Sequence, residues 1–165
     1  MKNFRTKKEI IKDASKELDE QKESNIQKRY FNWIRENEEQ FPVLKTIFHI
    51  PNGIHTPNFG MIVHFKQLGL RKGVWDVFIP IYVSGHSGLW IEFKRPTVNK
   101  KLSVEQNEFK KLILEHSTTK PKFVVVDTSN DAILETIKYL CLDIDTGIEG
   151  RKYNSPVFDN DSSDK

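Results

Sequence analysis

The chain has little of what extracellular and membrane proteins contain. Cys141 is the single cysteine among 165 residues, so no intramolecular disulfide can form and no pair of cysteines offers a tetrahedral zinc site. The first 24 residues are charged throughout, unlike a signal peptide, and no later stretch is long and apolar enough to cross a bilayer. We therefore expect a soluble cytoplasmic protein without a membrane partner.

The length and composition fit one globular domain. With 165 residues, 37% of them hydrophobic, the chain can bury a core without disulfides or a structural metal. The sequence predicts a charged N-terminal arm or helix over 1–20, a folded domain over 21–142, and a polar, disordered tail over 143–165.

Positive charge is concentrated in one stretch. The net charge is only +3, but residues 94–122 contain eight lysines and arginines against three glutamates. This excess is compatible with a solvated, lysine-rich face and with a surface that binds a polyanion, and charge alone leaves both interpretations open.

The apolar periodicity predicts an α/β fold. Helices are expected within 6–39, at about 59–68 with Gly69 as its cap, at 103–116 and from 129 or 130 to 140. Strands are expected at 44–50, 74–83, 88–95 and 122–127, the last with both faces covered. Ser103 and Gln106 form a capping-box pattern. The order of the main elements, α-β-β-β-α-β-α, indicates a mixed central sheet flanked by helices.

Charged residues interrupt two of these apolar strands. Because side chains alternate along a strand, Glu92 and Lys94 share one face, and the neighbouring strand can place Asp76 beside them. Mg²⁺ prefers carboxylate, carbonyl and water oxygens, so Asp76, Glu92 and the backbone carbonyl of Phe93 are candidate ligands for metal-assisted phosphodiester hydrolysis. Lys94 would then position or help deprotonate the attacking water. A structural salt bridge across a hairpin is the alternative that this spacing leaves open.

Four further stretches carry a family resemblance. "IPNG", "GLRKGVWDVFIP", "HSGLWIEFKR" and "LSVEQNEF", in this order and spacing, resemble the virus-type replication-repair nuclease (VRR-NUC) domain of the PD-(D/E)XK nuclease superfamily. The resemblance spans about Glu23 to Leu140 and is to the compact stand-alone phage and bacterial members. It implies a restriction-endonuclease-like core, and the bacterial host cytosol as the location if a phage encodes the chain.

The resemblance assigns roles to individual positions. Asp76 matches the metal-binding aspartate, Glu92 and Lys94 match the ExK pair, and Gln106 matches a glutamine that organises the site. Glu23 matches an acidic residue of the N-terminal helix that assists the metal or water. Three other glutamates compete for that last role: Glu36, Glu38 and Glu39.

The sequence departs from the family pattern at Trp75 and at Ile54-His55-Thr56 after "PNG", and several candidate contacts follow from the proposed substrate. Trp75 stands where the family usually has proline, and we expect it to affect packing or substrate contact more than metal binding. The candidate nucleic-acid contacts are Asn52, His55, Lys66, Arg71, Lys72, Arg95, Lys100 and Lys101. A turn role for Asn52 and a bystander role for His55 stay open. His49 is interpreted as a packing or surface residue.

The resemblance also implies an activity. It predicts an endonuclease dependent on Mg²⁺ or Mn²⁺ that hydrolyses DNA phosphodiesters, with flaps or four-way junctions as substrates, in phage or bacterial replication, repair or recombination. A homodimer would present two sites to two strands. The alternatives are a non-catalytic DNA-binding accessory module on the same fold and a sequence-specific restriction-type nuclease.

Overall fold

The computed structural model describes residues 22–51, 59–96 and 101–144. Within these ranges the elements, in chain order, are α1 (Glu23–Asn37), a 3-10 helix (Pro42–Thr46), β1 (Phe48–His49), α2 (Phe59–Gln67), β2 (Val77–Ile79), β3 (Leu89–Phe93), α3 (Val104–His116), β4 (Lys122–Val126) and α4 (Ser129–Leu140). None of the helices in this part of the chain combines the length and apolar character that a membrane span needs.

The strands form one mixed sheet in the order β1-β2-β3-β4. β1 pairs with β2 and β2 with β3 in antiparallel fashion, whereas β3 and β4 run parallel. The crossover between the parallel pair contains α3, as a parallel connection requires. The predicted α/β class and mixed central sheet are therefore confirmed.

The main core lies on the side of the sheet that α1 and α4 cover. Ile26, Tyr30 and Ile34 are buried and spaced four residues apart, so they form one stripe along α1. The Tyr30 ring lies 5.7 Å from that of Phe93 in β3, and its hydroxyl is 2.8 Å from Thr136 Oγ1 in α4. This contact fixes α1 and α4 against each other and against the central strand.

The opposite side of the sheet carries aromatic rings beneath α3. Phe78 pairs with Trp90 in register, and their rings stack with centroids 4.2 Å apart. Phe109 of α3 meets Trp90 edge-on at 5.0 Å. Because Glu92 follows Trp90 by two residues, its side chain also lies on the α3 side.

Several boundaries differ from the sequence prediction. The strand expected at 44–50 is wrong over 44–46, where a 3-10 helix begins at Pro42, since proline favours the first turn of a helix. The hairpin strands are shorter than expected, because Pro80 lacks the amide hydrogen that a ladder needs and the chain then turns at Ser84 and Gly85. Both turn residues have positive φ, and Val83 bridges His86, as in a type I′ turn.

β4 is also less covered than expected. It lies at one edge of the sheet, and only Val126 among its residues is buried. The helices at 59–67, 104–116 and 129–140 agree with the prediction. Gly69 follows the first of them with a φ of +98°, which confirms its capping position.

Candidate active site

Asp76 and Glu92 meet at the end of the β2–β3 ladder. The antiparallel register pairs Val77 with Ile91, so Asp76 and Glu92 are the next opposed positions beyond that pair. The Phe93 amide donates a hydrogen bond to Asp76 Oδ2 at 2.9 Å, and the Ile50 amide donates to the Asp76 carbonyl at 2.8 Å. The Asp76 side chain is therefore fixed against β3 and its backbone against the residue that follows β1.

Glu92 is a buried carboxylate with one unsatisfied oxygen. It is only 2% exposed. Its Oε1 accepts hydrogen bonds from Lys94 Nζ at 2.7 Å and from Gln106 Nε2. Its Oε2 is buried and has no hydrogen-bond partner among the described residues, although a buried oxygen without a partner costs free energy.

The two carboxylates perturb each other. Burial, and then the charge of Asp76, raise the pKa of Glu92 to about 7. Burial also raises the pKa of Asp76, against the opposing effects of the Phe93 amide and the Lys94 charge. Two carboxylates whose charged forms are disfavoured in this way form a site that a cation stabilises.

Gln106 connects the helix cap to the charged pair. It is the third residue of α3, and its amide oxygen accepts from the Ser103 backbone amide at 2.9 Å, while Ser103 Oγ accepts from the Gln106 amide at 3.2 Å. The same amide oxygen accepts from Lys94 Nζ at 3.2 Å, and Nε2 donates to Glu92. The predicted capping box is confirmed, and it holds Gln106 where it contacts both charged residues.

Lys94 lies between Glu92 and Gln106. Its side chain is 15% exposed, and its backbone amide donates to the Val126 carbonyl at 2.8 Å. The structure thus brings together four of the predicted site residues, namely Asp76, Glu92, Lys94 and Gln106. Their catalytic roles stay predictions.

The start of α1 approaches the same site. The charge of Glu23 contributes, as the smallest cause, to raising the pKa of Asp76 after burial and the other neighbours are counted. One turn further along α1, Gln27 Nε2 lies 2.6 Å from His49 Nδ1. His49 Nδ1 also lies 2.9 Å from the Asp76 carbonyl oxygen. Glu23 is therefore within electrostatic range of Asp76.

The competing glutamates lie elsewhere. Glu36 is about 20 Å along α1 from Glu23 at a rise of 1.5 Å per residue, and Glu38 and Glu39 follow the end of that helix. Glu39 pairs with Lys45 at 2.7 Å. Their distance along the helix favours Glu23 over all three for a role beside Asp76.

His49 is a residue that sequence reasoning missed. His49 Nδ1 donates to the Asp76 carbonyl in the tautomer that carries the proton on this nitrogen, and accepts from Gln27 Nε2 in the other tautomer. This link joins α1 to the backbone of Asp76. The available signal was its location in a strand directly before "IPNG", but a single histidine has meaning only once the strand register is known.

The segment before Asp76 packs against the first turn of α3. Gly73 has a φ of +80°, and a Cβ at this position would overlap the backbone of Glu105. Trp75 is fully buried, its Nε1 donates to the Gln106 carbonyl at 3.3 Å, and its ring meets Phe123 edge-on at 4.9 Å. Trp75 thus has a packing role, as expected.

The donor set fits a hard divalent cation. No group of three or more His, Cys, Asp or Glu side chains converges as a ready-made metal cluster in 22–51, 59–96 and 101–144. Mg²⁺, however, is commonly held by one or two carboxylates together with water and substrate phosphate. The unpaired Glu92 Oε2 beside Asp76 supplies the oxygen that such an ion needs. The Phe93 carbonyl as a further ligand stays a prediction.

The predicted nucleic-acid contacts are only partly described. Five of them are exposed: Lys66, Arg71, Lys72, Arg95 and Lys101. Arg95 directly follows Lys94, Arg71 and Lys72 lie shortly before Asp76, and Lys101 lies shortly before Gln106. Asn52, His55 and Lys100 lie outside the described residues, as do 1–20 and all but the first two residues of 143–165.

Comparison with known proteins supports the fold. No protein-family model and no curated protein matches the chain. A solved structure described as a "VRR_NUC domain protein" matches with a TM-score of 0.57 at 23% identity, covering 73% of this chain and 88% of that one. As the motif resemblance predicted, the chain has the fold of a VRR_NUC domain protein.

Proposed function

We propose that this protein is a metal-dependent endonuclease that hydrolyses DNA phosphodiesters. The observation that carries the proposal is Glu92, a buried carboxylate with an unpaired oxygen whose pKa burial and Asp76 raise to about 7. A purely structural salt bridge would require neither the unpaired oxygen nor a second carboxylate beside it. The shared fold with a VRR_NUC domain protein supports the same conclusion.

Asp76 and Glu92 would hold Mg²⁺ or Mn²⁺, with the Phe93 carbonyl as a further oxygen ligand and Glu23 as a weaker candidate. When bound, the ion supplies Lewis acidity, which lowers the pKa of water and offsets charge that develops on the phosphate. The Phe93 amide orients the Asp76 carboxylate through its bond to Oδ2. This leaves Asp76 Oδ1 and Glu92 Oε2 as the oxygens for the ion.

Lys94 and Gln106 act on the water and the phosphate. The Lys94 ammonium donates to Gln106 on one side and to Glu92 on the other, so its position is fixed before substrate binds. We assign Lys94 to orienting the attacking water and to balancing phosphate charge. Gln106 is a positioning residue, since it reaches the reacting groups only through its two neighbours.

The resemblance supports branched DNA as the substrate. Exposed lysines and arginines near the site contact the backbone without reading bases, which favours recognition of DNA shape, as on flaps and four-way junctions. A homodimer remains a prediction, and sedimentation of the free protein checks it.

Cleavage of defined substrates tests the proposal. Wild type and Asp76→Asn, Glu92→Gln and Lys94→Ala are incubated with flap, four-way junction and linear duplex DNA in Mg²⁺, Mn²⁺ or EDTA. The matched control is Glu108→Gln, which changes an exposed glutamate on α3. We expect wild type and control to cut branched DNA with either metal, and each site variant to lose activity by about 10²-fold or more.

Other outcomes identify the alternatives. DNA binding without cleavage in either metal contradicts the enzyme and supports an accessory module. A sharp sequence preference on linear duplex supports a restriction-type nuclease instead.

A further inference from the structure

A cleft rich in lysine lies beside α3, outside the candidate active site. Its volume is about 520 Å³, and it lies between the second half of α3 and the segment that leads to β4. The charged and polar residues that line it are Asn107, Lys110, Lys111, Glu115, Ser117 and Lys120. Three ammonium groups therefore share the cleft with one carboxylate.

The carboxylate does not neutralise the cleft. Glu115 Oε1 lies 3.6 Å from Lys111 Nζ in an i,i+4 pair whose side chains are 50% and 73% exposed, and such exposed pairs are weak in water. Lys110 and Lys120 form no ion pair with another residue of the described ranges. The cleft thus has an excess of positive charge that suits an anionic ligand.

Aromatic rings hold Lys110 in place. Its Nζ lies 5.9 Å from the centroid of the Trp75 ring and 5.6 Å from that of Phe123. These cation–π contacts restrict the side chain, so less conformational entropy is lost when the ammonium binds an anion.

α3 connects the cleft to the candidate active site. Gln106 and Lys110 are four residues apart and share one face of the helix. At 1.5 Å per residue, Lys110 and Leu114 lie about 6 Å and 12 Å along the axis from Gln106. Two to four nucleotides of one strand span a comparable distance at about 3.4 Å each.

We propose that this cleft binds the sugar–phosphate backbone of the nucleic-acid strand two to four nucleotides away from the scissile phosphate. The proposal rests on the proposed nuclease function and extends the substrate contacts to Lys110, Lys111 and Lys120. Ammonium groups bind phosphates irrespective of the base, so the contribution of the cleft is independent of sequence.

A charge-reversal pair tests the cleft. Lys111→Glu/Lys120→Glu changes two exposed residues and leaves Lys110 against its rings. The control, Arg35→Glu/Lys45→Glu, makes the same charge change at exposed positions near the far end of α1. Binding of a fluorescent 12-nucleotide single strand is measured by anisotropy in EDTA over a range of salt concentrations, with melting curves to check folding.

We expect the cleft variant to bind about tenfold more weakly or worse, with a salt slope smaller by about 1.4, because each lost lysine–phosphate contact on a single strand reduces the slope by about 0.7. The control should change affinity less than about threefold. A second variant, Lys111→Gln/Lys120→Gln, should show the same reduction in slope without added repulsion. Equal affinity of the cleft and control variants for the strand overturns the proposal. This is the result expected if the ligand of the cleft is an acidic protein.

The experiments distinguish a failure of the cleft proposal from a failure of the proposed nuclease function. If wild type cuts no DNA in Mg²⁺ or Mn²⁺, the nuclease function is contradicted, whereas binding in EDTA still measures the cleft. If wild type cuts DNA, the cleft variant should raise KM with kcat unchanged, since a backbone contact stabilises ground and transition states equally.

Discussion

At the scale of single residues, Glu92 is a buried carboxylate in the candidate active site that lowers the stability of the fold. Its Oε1 has two donors, Lys94 and Gln106, whereas Oε2 is buried with none in the part of the chain that the structure describes. Burying a carboxylate next to Asp76 disfavours the charged form. The metal-free fold is therefore destabilised by the same arrangement that, in the proposed function, holds a cation.

This arrangement predicts how stability depends on pH. The pKa of Glu92 rises from its usual value near 4.5 to about 7 on folding, so between these values the folded state holds the proton more tightly than the unfolded chain. The stability that this tighter proton binding adds to the folded state is present in full below about pH 4.5 and is lost as the pH rises through 7. In EDTA, we expect the free energy of unfolding to fall by about 1–3 kcal/mol between pH 5 and 8, as measured by urea denaturation.

Glu92→Gln isolates this effect from other titrating groups. Its free energy of unfolding should fall less over the same interval, because the amide has no proton to lose. Parallel pH profiles for wild type and Glu92→Gln would contradict the shifted pKa.

Gln106 makes two separable sets of contacts, one in the helix cap and one with Lys94 and Glu92. Ser103→Ala removes the cap oxygen but leaves the Gln106 side chain, and we expect it to cost about 1 kcal/mol of stability without loss of cleavage. Gln106→Leu removes the contacts to Lys94 and Glu92 as well, and should lower kcat by about 10- to 100-fold. Denaturation and single-turnover cleavage measure the two effects, and equal kcat in both variants would show that Gln106 acts only as a cap.

The sequence identified the residues whose relationships are local. Glu92 and Lys94 share a face because they are two residues apart, and Gln106 was marked by its spacing from Ser103. The unpaired oxygen of Glu92 could not be predicted, because it depends on how α3 packs over the sheet. His49 was missed for a similar reason, since its contact with the Asp76 carbonyl depends on the β1–β2 register and on Gln27 of α1.

At the scale of elements, the first turn of α3 organises the site. It presents Gln106 to Lys94, accepts the Trp75 indole hydrogen bond on the Gln106 carbonyl, and packs against Gly73. The segment from Gly73 to Asp76 is thereby held between α3 and the sheet. Substitutions in this contact should affect both stability and the placement of Asp76.

Two glycines with positive φ provide a matched test of this contact. At Gly73 (φ +80°) a Cβ would overlap the Glu105 backbone, whereas at Gly69 (φ +98°) no atom lies within 4 Å. Gly69→Ala should therefore cost only the backbone strain, about 1 kcal/mol. Gly73→Ala adds a steric overlap, and we expect a loss of about 2–5 kcal/mol.

Thermal or urea unfolding of the two alanine variants measures the difference. A similar loss of stability at both positions would mean that the close approach of Gly73 to α3 is not required. A larger loss at Gly69 would contradict the packing directly.

Elements with strong end signals were predicted best. The capping box placed α3, whereas the cap of α4, Thr128, which accepts from the Asp131 amide, was not identified from the sequence. Strand lengths were predicted less well, because a strand ends where its partner ends, and the apolar stretch at 74–83 continues past the paired residues. The segment at 44–46 has an apolar pattern that a 3-10 helix and a strand can both satisfy, and Pro42 decides between them.

At the scale of the whole molecule, most of the core and the candidate active site lie on opposite sides of one sheet. α1 and α4 cover the side that holds most of the core, while α3 covers the side with Glu92 and the stacked rings. The start of α1, the segment at Asp76, the end of β3 and the start of α3 all meet at one end of the sheet. In the proposed function, DNA enters at this end and one strand continues along α3 through the lysine cleft.

The most direct test of the central claim is anomalous scattering from crystals grown with Mn²⁺. The proposed site predicts a peak within about 2.1 Å of an oxygen of Asp76 and of Glu92, and its loss in Glu92→Gln crystals. Saturating Mn²⁺ that gives no peak between these carboxylates, or a peak elsewhere on the protein, would contradict the account.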